Sequence, residues 1–105
     1  MIPVTQLPVK EFFPGFSGRF IHGETSTLAF WEITKGSVLK EHAHMHEQIT
    51  YIIAGEIEMT IGGEKILFKA GSTHVIPSGV PHSAVAITDC KVIDSFSPAR
   101  DDYRF

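Results

Sequence analysis

The sequence predicts a small all-β domain, a sandwich or a barrel, from three observations. Short runs rich in β-branched and aromatic residues recur along the chain, and glycine or proline separates each run from the next. The turns fall roughly every 8–12 residues, a spacing typical of sandwiches and barrels. No window of the sequence carries the apolar stripe of an amphipathic helix.

The predicted strands lie between these turns. In the run 56–61, polar and apolar residues alternate, as they do in a half-buried strand. Gly62 and Gly63 then supply the positive φ angles of a tight hairpin into the next strand. The full set of predicted strands is 28–34, 48–53, 56–61, 65–68, 74–76, 83–88 and 91–96.

Length and composition fit a single domain. The chain has 105 residues, of which 43% are hydrophobic and 20% are charged, within the ordinary globular range. We expect a barrel over 28–105, preceded by an irregular segment over 1–27 that is rich in phenylalanine. Such a density of aromatic residues indicates either core filling or a contact between two copies of the chain. The phenylalanines concerned are Phe12, Phe13, Phe16 and Phe20.

Charge and hydropathy argue against two classes of partner. Nine basic and twelve acidic residues give a net charge of −3, and the basic residues are scattered, so we expect no nucleic-acid-binding face. No apolar run approaches the roughly 18 residues of a membrane helix, and residues 1–6 lack the pattern of a secretory signal. The single cysteine, Cys90, excludes an internal disulfide and fits a reducing cytoplasm, where we expect the protein to work.

Six histidines are the unusual feature of the composition. His42, His44 and His46 alternate with other residues ahead of Gln48, and in an extended strand these four side chains would share one face. Polar groups on the inner face of a barrel are costly unless they are hydrogen-bonded or bind a metal. His82 follows a turn rich in proline and glycine, which gives its side chain a defined direction.

Together these side chains predict a metal site. Imidazole is the commonest protein ligand of divalent first-row metals, and three imidazoles with one side-chain oxygen fill four coordination positions. The alternative is that the histidines are exposed or hydrogen-bonded in the core, which suits the isolated His22 and His74 better than this group. Mixed nitrogen and oxygen ligands accept nickel, zinc, manganese, iron or cobalt, so the identity of the metal stays open.

The spacing of these residues resembles the two motifs of the cupin family. The first is matched by Gly36, His42, His44, Gln48 and Gly55, and the second by Gly71, Pro77, Gly79 and His82. Cupins are small barrels of the jelly-roll type, also described as double-stranded β-helices, so the resemblance implies that fold. It also implies that His42, His44, Gln48 and His82 hold one divalent transition metal. Glu is commoner than Gln at position 48, and a neutral amide leaves the site's formal charge at about +2, which favours Lewis acidity and anionic ligands.

A second group of polar residues lies near the C-terminus. Asp94 and Phe96 share one face of the last predicted strand, and Pro98 ends that strand so that Arg100 can fold back toward it. An aspartate on an inward face costs free energy unless it has a partner or a function. Two interpretations stay open here. One is a structural Asp94–Arg100 ion pair, and the other is a site in which Asp94 transfers a proton, Phe96 forms a wall and Arg100 grips a carboxylate in bidentate fashion.

Taken with the histidine block, this tail resembles the pectin-degradation cupins of the KdgF type, from about residue 14 to residue 103. Members of that family linearise 4,5-unsaturated uronate monosaccharides to 5-keto-4-deoxyuronate, and they commonly dimerise. The resemblance implies an anionic sugar as substrate, a homodimer and the same four metal ligands. It also implies a pocket formed by Asp94, Phe96 and Arg100.

Three alternatives to a metal-dependent uronate enzyme stay open. They are a metal-bearing cupin that binds a sugar or another small molecule without turnover, a cupin dioxygenase, and a purely structural barrel. The candidate ligands lack the two-histidine, one-carboxylate triad of many iron oxygenases, which argues against the dioxygenase. A structural barrel predicts that a chelator changes neither stability nor ligand binding.

Overall fold

A computed structural model describes residues 1–105 as ten β-strands and two single-turn 3₁₀ helices. The strands are β1 Val9–Phe13, β2 Phe16–His22, β3 Thr27–Ile33, β4 Val38–His42, β5 Glu47–Ala54, β6 Glu56–Ile61, β7 Glu64–Lys69, β8 Thr73–Ile76, β9 His82–Ala86 and β10 Cys90–Ser97. The helices are Val4–Gln6 and Asp101–Tyr103. The all-β prediction is therefore confirmed.

The strands form two antiparallel sheets. One has six strands in the order β1-β2-β3-β10-β5-β8, and the other has four in the order β4-β9-β6-β7. Strands that are distant in sequence are neighbours in both sheets, as in a jelly roll. Side chains from both sheets meet in one hydrophobic core, and the cavity described below lies between the same two sheets.

Each strand predicted from the sequence is present, with bounds that differ by two residues at most. The hairpin between β6 and β7 also has the predicted geometry. Ile61 pairs with Glu64, and Gly62 and Gly63 have φ angles of 56° and 83°. A tight hairpin turn of this kind needs positive φ at both central positions, so the Gly62–Gly63 pair predicted it correctly.

The prediction of an irregular segment over 1–27 is wrong. β1 and β2 form a hairpin at one edge of the six-stranded sheet, and β2 pairs along its length with β3. Gly18 lies inside β2, where an added Cβ would stand 2.6 Å from the ring of Phe20. That glycine makes room for aromatic packing and does not end the strand.

The aromatic residues of this hairpin fill the core. Phe16 and Phe20 are buried, so core filling is confirmed for these two. Phe12 packs edge-on against Phe20, with ring centroids 5.1 Å apart, and against Tyr103 at 5.0 Å. The C-terminal helix is thereby docked beside the N-terminal hairpin. Each buried aromatic ring contributes about 1.5–3 kcal/mol through the apolar surface it removes from water.

Neither of the two short 3₁₀ helices has the length and apolar character that crossing a membrane requires.

Candidate metal centre and ligand pocket

The histidine block does not form one face of a single strand. β4 ends at His42 and β5 begins at Glu47, so residues 43–46 carry the chain from the four-stranded sheet to the six-stranded sheet. His42 is paired with His82 across β4 and β9, whereas Gln48 lies on the other sheet. The four predicted ligands therefore converge because the chain crosses between the sheets. The prediction that the side chains of residues 42, 44, 46 and 48 share one face of an extended strand is wrong.

The three histidines present ring nitrogens to a common point. One nitrogen each from His42, His44 and His82 lies within 4.8 Å of the others. In each ring, Nδ1 is 2.9 Å from a backbone carbonyl oxygen. Because a carbonyl only accepts, Nδ1 carries the proton and Nε2 presents a lone pair, the arrangement typical of metal-binding imidazoles. The accepting carbonyls are those of Lys40, His46 and Val80, respectively.

His82 gives the clearest sign that something belongs at this point. Its side chain is 2% exposed, and its buried Nε2 has no hydrogen-bond partner. Burial lowers the pKa of His82 to about 4, although the hydrogen bond to Val80 opposes the shift. The ring is therefore neutral at pH 7. A buried lone pair without a partner costs about 1–3 kcal/mol, and a bound cation would remove that cost.

Gln48 faces the histidines from the other sheet. Its Oε1 lies 3.1 Å from Nε2 of His44, while its Nε2 donates to Thr50 Oγ1 at 3.0 Å. Since His44 Nε2 carries no proton, two lone pairs face each other across that distance. A cation between them turns this repulsion into coordination. The residues present thus fit a divalent metal held by three nitrogens and one amide oxygen.

Asp94 lies beside this group on β10. Its carboxylate accepts a 2.7 Å hydrogen bond from Thr50 Oγ1, its cross-strand neighbour on β5. Burial raises the pKa of Asp94 to about 6, against the lowering effect of hydrogen bonds from Thr50, Gln48 and Trp31. A carboxyl group that titrates near neutral pH is suited to move protons.

Arg100 is paired with Asp102 and not with Asp94. Its Nε and Nη2 atoms donate to the two carboxylate oxygens of Asp102 at 3.0 and 2.8 Å. The guanidinium carbon lies 4.6 Å from the ring centroid of Phe96 and 4.1 Å from that of Tyr103. The Asp94–Arg100 ion pair that the sequence left open is absent, because the adjacent helix Asp101–Tyr103 brings its own carboxylate to the arginine.

All the site residues predicted from the sequence line one cavity between the sheets. They are His42, His44, Gln48, His82, Asp94, Phe96 and Arg100. Most of the other lining residues are hydrophobic. The remaining polar and aromatic ones are Phe13, Phe16, Trp31, Thr50 and Tyr103. A mostly apolar cavity with a few convergent polar groups is typical of a small-molecule site.

Sequence reasoning missed three residues that shape this site: Thr50, Asp102 and Tyr103. Thr50 could have been found, since it stands two residues after Gln48 and so shares its strand face. His46 orients His44 through its backbone carbonyl, while its ring does not line the cavity. The isolated His22 and His74 lie outside the cavity, where His22 meets the hydroxyl of Thr27 and His74 packs on Phe68.

Comparison with known proteins identifies the family to which this fold belongs. The family model described as cupin domain matches residues 29–96. This chain belongs to the cupin family. The cupin is 38% identical to the pectin degradation protein KdgF of Dickeya dadantii (strain 3937) over 101 residues, which cover 93% of the cupin and 92% of KdgF.

Two solved structures resemble the cupin along almost its whole length. KdgF from Halomonas sp. superimposes with a TM-score of 0.92 at 31% identity, covering 99% of the cupin and 97% of that chain. An RmlC-like cupin from Shewanella frigidimarina NCIMB 400 superimposes with a TM-score of 0.93 at 28% identity, covering 99% and 95%. Both superpositions therefore extend over the residues that line the cavity, including those of the C-terminal tail.

Proposed function

We propose that this cupin is a metal-dependent enzyme that linearises 4,5-unsaturated uronate monosaccharides to 5-keto-4-deoxyuronate in the breakdown of pectin or alginate. One observation carries the proposal: three convergent imidazoles, a buried aspartate and a buried arginine line the same cavity. The relationship to KdgF, a pectin degradation protein, supports the choice of substrate.

The candidate ligands are His42, His44, Gln48 and His82, and they would hold one divalent ion of nickel, zinc, manganese, iron or cobalt. When bound, the ion supplies Lewis-acid polarisation of a sugar oxygen. The protein's own contribution is to keep the ligands in place. Each imidazole is fixed by its Nδ1 hydrogen bond to a backbone carbonyl, so the lone pairs are preorganised.

The reaction needs one proton to move and no co-reactant. Opening the hemiacetal breaks the bond between C1 and the ring oxygen, and the C1 hydroxyl loses its proton as C1 becomes an aldehyde. The electron pair left on the ring oxygen forms a carbonyl at C5, and the π electrons of the C4–C5 double bond form the new C4–H bond as C4 receives a proton. Asp94 is the group in the cavity suited to accept the proton from the C1 hydroxyl and deliver it to C4, because burial raises its pKa to about 6.

Arg100 is suited to bind the uronate carboxylate. The stacking of its guanidinium on Phe96 and Tyr103 holds the plane of the group. Asp102 already occupies Nε and one side of Nη2. A bidentate grip on the substrate through that edge would require Asp102 to leave, so we assign the substrate contact to the Nη1 side. Phe96 forms the wall between Arg100 and the histidines, 5.7 Å from the ring of His44.

The test is to incubate metal-analysed protein with unsaturated galacturonate released by a lyase and to follow its ultraviolet absorbance. An enzyme abolishes the absorbance of the C4–C5 double bond, and a chelator prevents the loss. Tight binding without loss of absorbance indicates a binding protein instead. Oxygen consumption by the iron-loaded protein indicates a dioxygenase, and either result contradicts the proposal.

We also propose that the cupin forms a homodimer through the outer face of its six-stranded sheet. One cross-strand row on that face consists of Ile21, Leu28, Ser95, Ile49 and Val75, and its four aliphatic residues are each more than a third exposed. Such a face is better suited to association than the phenylalanines of 1–27, of which Phe16 and Phe20 are buried.

We place the protein in the cytoplasm, which suits its one free, buried thiol at Cys90.

Light scattering after size-exclusion chromatography tests the dimer. The wild-type chain is expected at twice its 11.6 kDa mass, and Ile49→Lys is expected to shift it toward the monomer. Ile87→Lys is the control, since Ile87 is also exposed but follows β9 of the other sheet. A monomeric wild-type protein would contradict this part of the proposal.

A further inference from the structure

Thr50 connects the candidate metal centre to the candidate proton-transfer group. It lies on β5, two residues after Gln48 and directly across from Asp94 on β10. Its side chain is 2% exposed. The hydroxyl accepts a hydrogen bond from Gln48 Nε2 at 3.0 Å and donates one to Asp94 Oδ1 at 2.7 Å. No solvent is needed to complete this chain of three buried side chains.

The direction of these hydrogen bonds is determined by the chemistry of their ends. A carboxylate only accepts, so the single proton of the Thr50 hydroxyl points to Asp94. The hydroxyl then presents only lone pairs to Gln48, so the amide turns its NH₂ group to this side, where that group also hydrogen-bonds to the Asp94 carboxylate. As a result, Gln48 Oε1 points the other way, toward Nε2 of His44 at 3.1 Å. With the amide reversed, the NH₂ group would occupy the point where the imidazole lone pairs converge.

We propose that Thr50 is a positioning residue: together with the Asp94 carboxylate, its hydroxyl selects the amide orientation of Gln48 that offers an oxygen ligand, and it holds Asp94 beside that ligand. This role rests on the proposed metal centre. A histidine ligand is oriented by its own Nδ1 hydrogen bond, but an amide has two similar ends. The end of Gln48 that faces the histidines is therefore decided by neighbouring side chains, whereas each histidine is oriented by a backbone carbonyl.

Metal affinity in Thr50 variants tests this role without reference to catalysis. Thr50→Val keeps the size of the side chain and removes the hydroxyl, whereas Thr50→Ser keeps the hydroxyl. Nickel is titrated into each chelator-treated, dialysed protein in competition with a coloured chelator. We expect Thr50→Val to weaken nickel binding by about 10- to 100-fold, the usual effect of losing a group that orients a ligand. Thr50→Ser is expected to keep the wild-type affinity.

A second comparison shows whether Thr50 acts through Gln48. In a Gln48→Ala background the oxygen ligand is gone, so adding Thr50→Val should weaken nickel binding no further. An equal loss in both backgrounds overturns the proposed role, and so does a Thr50→Val protein that binds nickel as the wild type does. If the wild type itself binds no nickel, the metal centre fails, and the role of Thr50 fails with it. Melting curves of the metal-free proteins verify folding, and Thr50→Ala replaces Thr50→Val if the valine variant does not fold.

Discussion

The guanidinium of Arg100 and the carboxylate of Asp102 form a two-point ion pair at the edge of the cavity, with N–O distances of 3.0 and 2.8 Å. The arginine side chain is 8% exposed and the aspartate side chain is 56% exposed. The pair thus holds the buried positive charge of Arg100 in the cavity that contains the candidate metal centre, while the negative charge of Asp102 stays exposed to solvent. Hydrogen bonding to Arg100 correspondingly lowers the pKa of Asp102.

Replacement of Arg100 by lysine should weaken substrate binding more than it slows the chemical step. Lysine keeps the charge but loses the planar fork that binds Asp102 and stacks on Tyr103. Loss of a hydrogen bond to a charged group costs about 1.5–3 kcal/mol, so we expect KM for the unsaturated uronate to rise by roughly 10- to 100-fold. Steady-state kinetics of the ultraviolet assay measure this.

Arg104→Lys is the matched control for that substitution. Arg104 also pairs with an aspartate, Asp101, but it is half exposed and lies outside the cavity. Its replacement should leave KM unchanged. Equal kinetics for Arg100→Lys and the wild type would remove Arg100 from the substrate site.

Asp94→Asn should abolish turnover and leave the metal content intact. Asparagine can still accept the hydrogen bond from Thr50, but it cannot carry a proton between substrate atoms. Loss of a general acid–base group costs about 10²- to 10⁴-fold in rate, which the ultraviolet assay measures together with metal analysis of the same samples. Retained activity would exclude Asp94 from the mechanism.

The same substitution should stabilise the metal-free fold in a pH-dependent way. Burial raises the pKa of Asp94 to about 6, so the folded protein binds the Asp94 proton more tightly than the unfolded chain does. The fold therefore favours the protonated form of Asp94 over the ionised form. The contribution of Asp94 to the free energy of unfolding is fully present below about pH 4 and is lost as the pH rises through about 6. The free energy of unfolding of Asp94→Asn, relative to the wild type, should therefore increase by about 2–3 kcal/mol between pH 4 and pH 7.

Urea denaturation of chelator-treated proteins at several pH values measures this difference. The histidines of the site are common to both proteins, so their own titration largely cancels in the comparison. A relative stability that does not change with pH would mean that Asp94 is not destabilised by burial.

Two glycines of the cupin motifs should differ in their tolerance of alanine. Gly36 and Gly55 both have positive φ, at 83° and 88°. A Cβ at position 36 would meet nothing within 4 Å, whereas one at position 55 would stand 2.2 Å from the backbone oxygen of Asp89. Gly36→Ala should cost about 1–2 kcal/mol through backbone strain alone, and Gly55→Ala should cost clearly more. Urea denaturation checks the order, and equal costs would contradict it.

The sequence predicted the parts of this molecule that depend on local patterns. Turn residues and alternation located β3 and the strands from β5 to β10, and motif spacing selected the side chains of the candidate metal centre. β1 and β2 were missed because Gly18 looks like a break until the ring of Phe20 is placed over it. The hydrogen bond between Thr50 and Asp94 depends on the register of β5 with β10, and the pairing of Arg100 with Asp102 depends on the fold of the tail. No local pattern of residues reveals either of them.

The convergence of His82 with the earlier histidines is the central claim, and a nickel titration followed by calorimetry tests it most directly. Chelator-treated wild-type protein should bind about one nickel ion per chain and melt at a higher temperature when loaded. His74→Ala is the control, since His74 packs on Phe68 outside the cavity, and it should behave as the wild type does. His82→Ala should lose stoichiometric binding, whereas unchanged nickel affinity in this variant, or no binding by the wild type, would contradict the account.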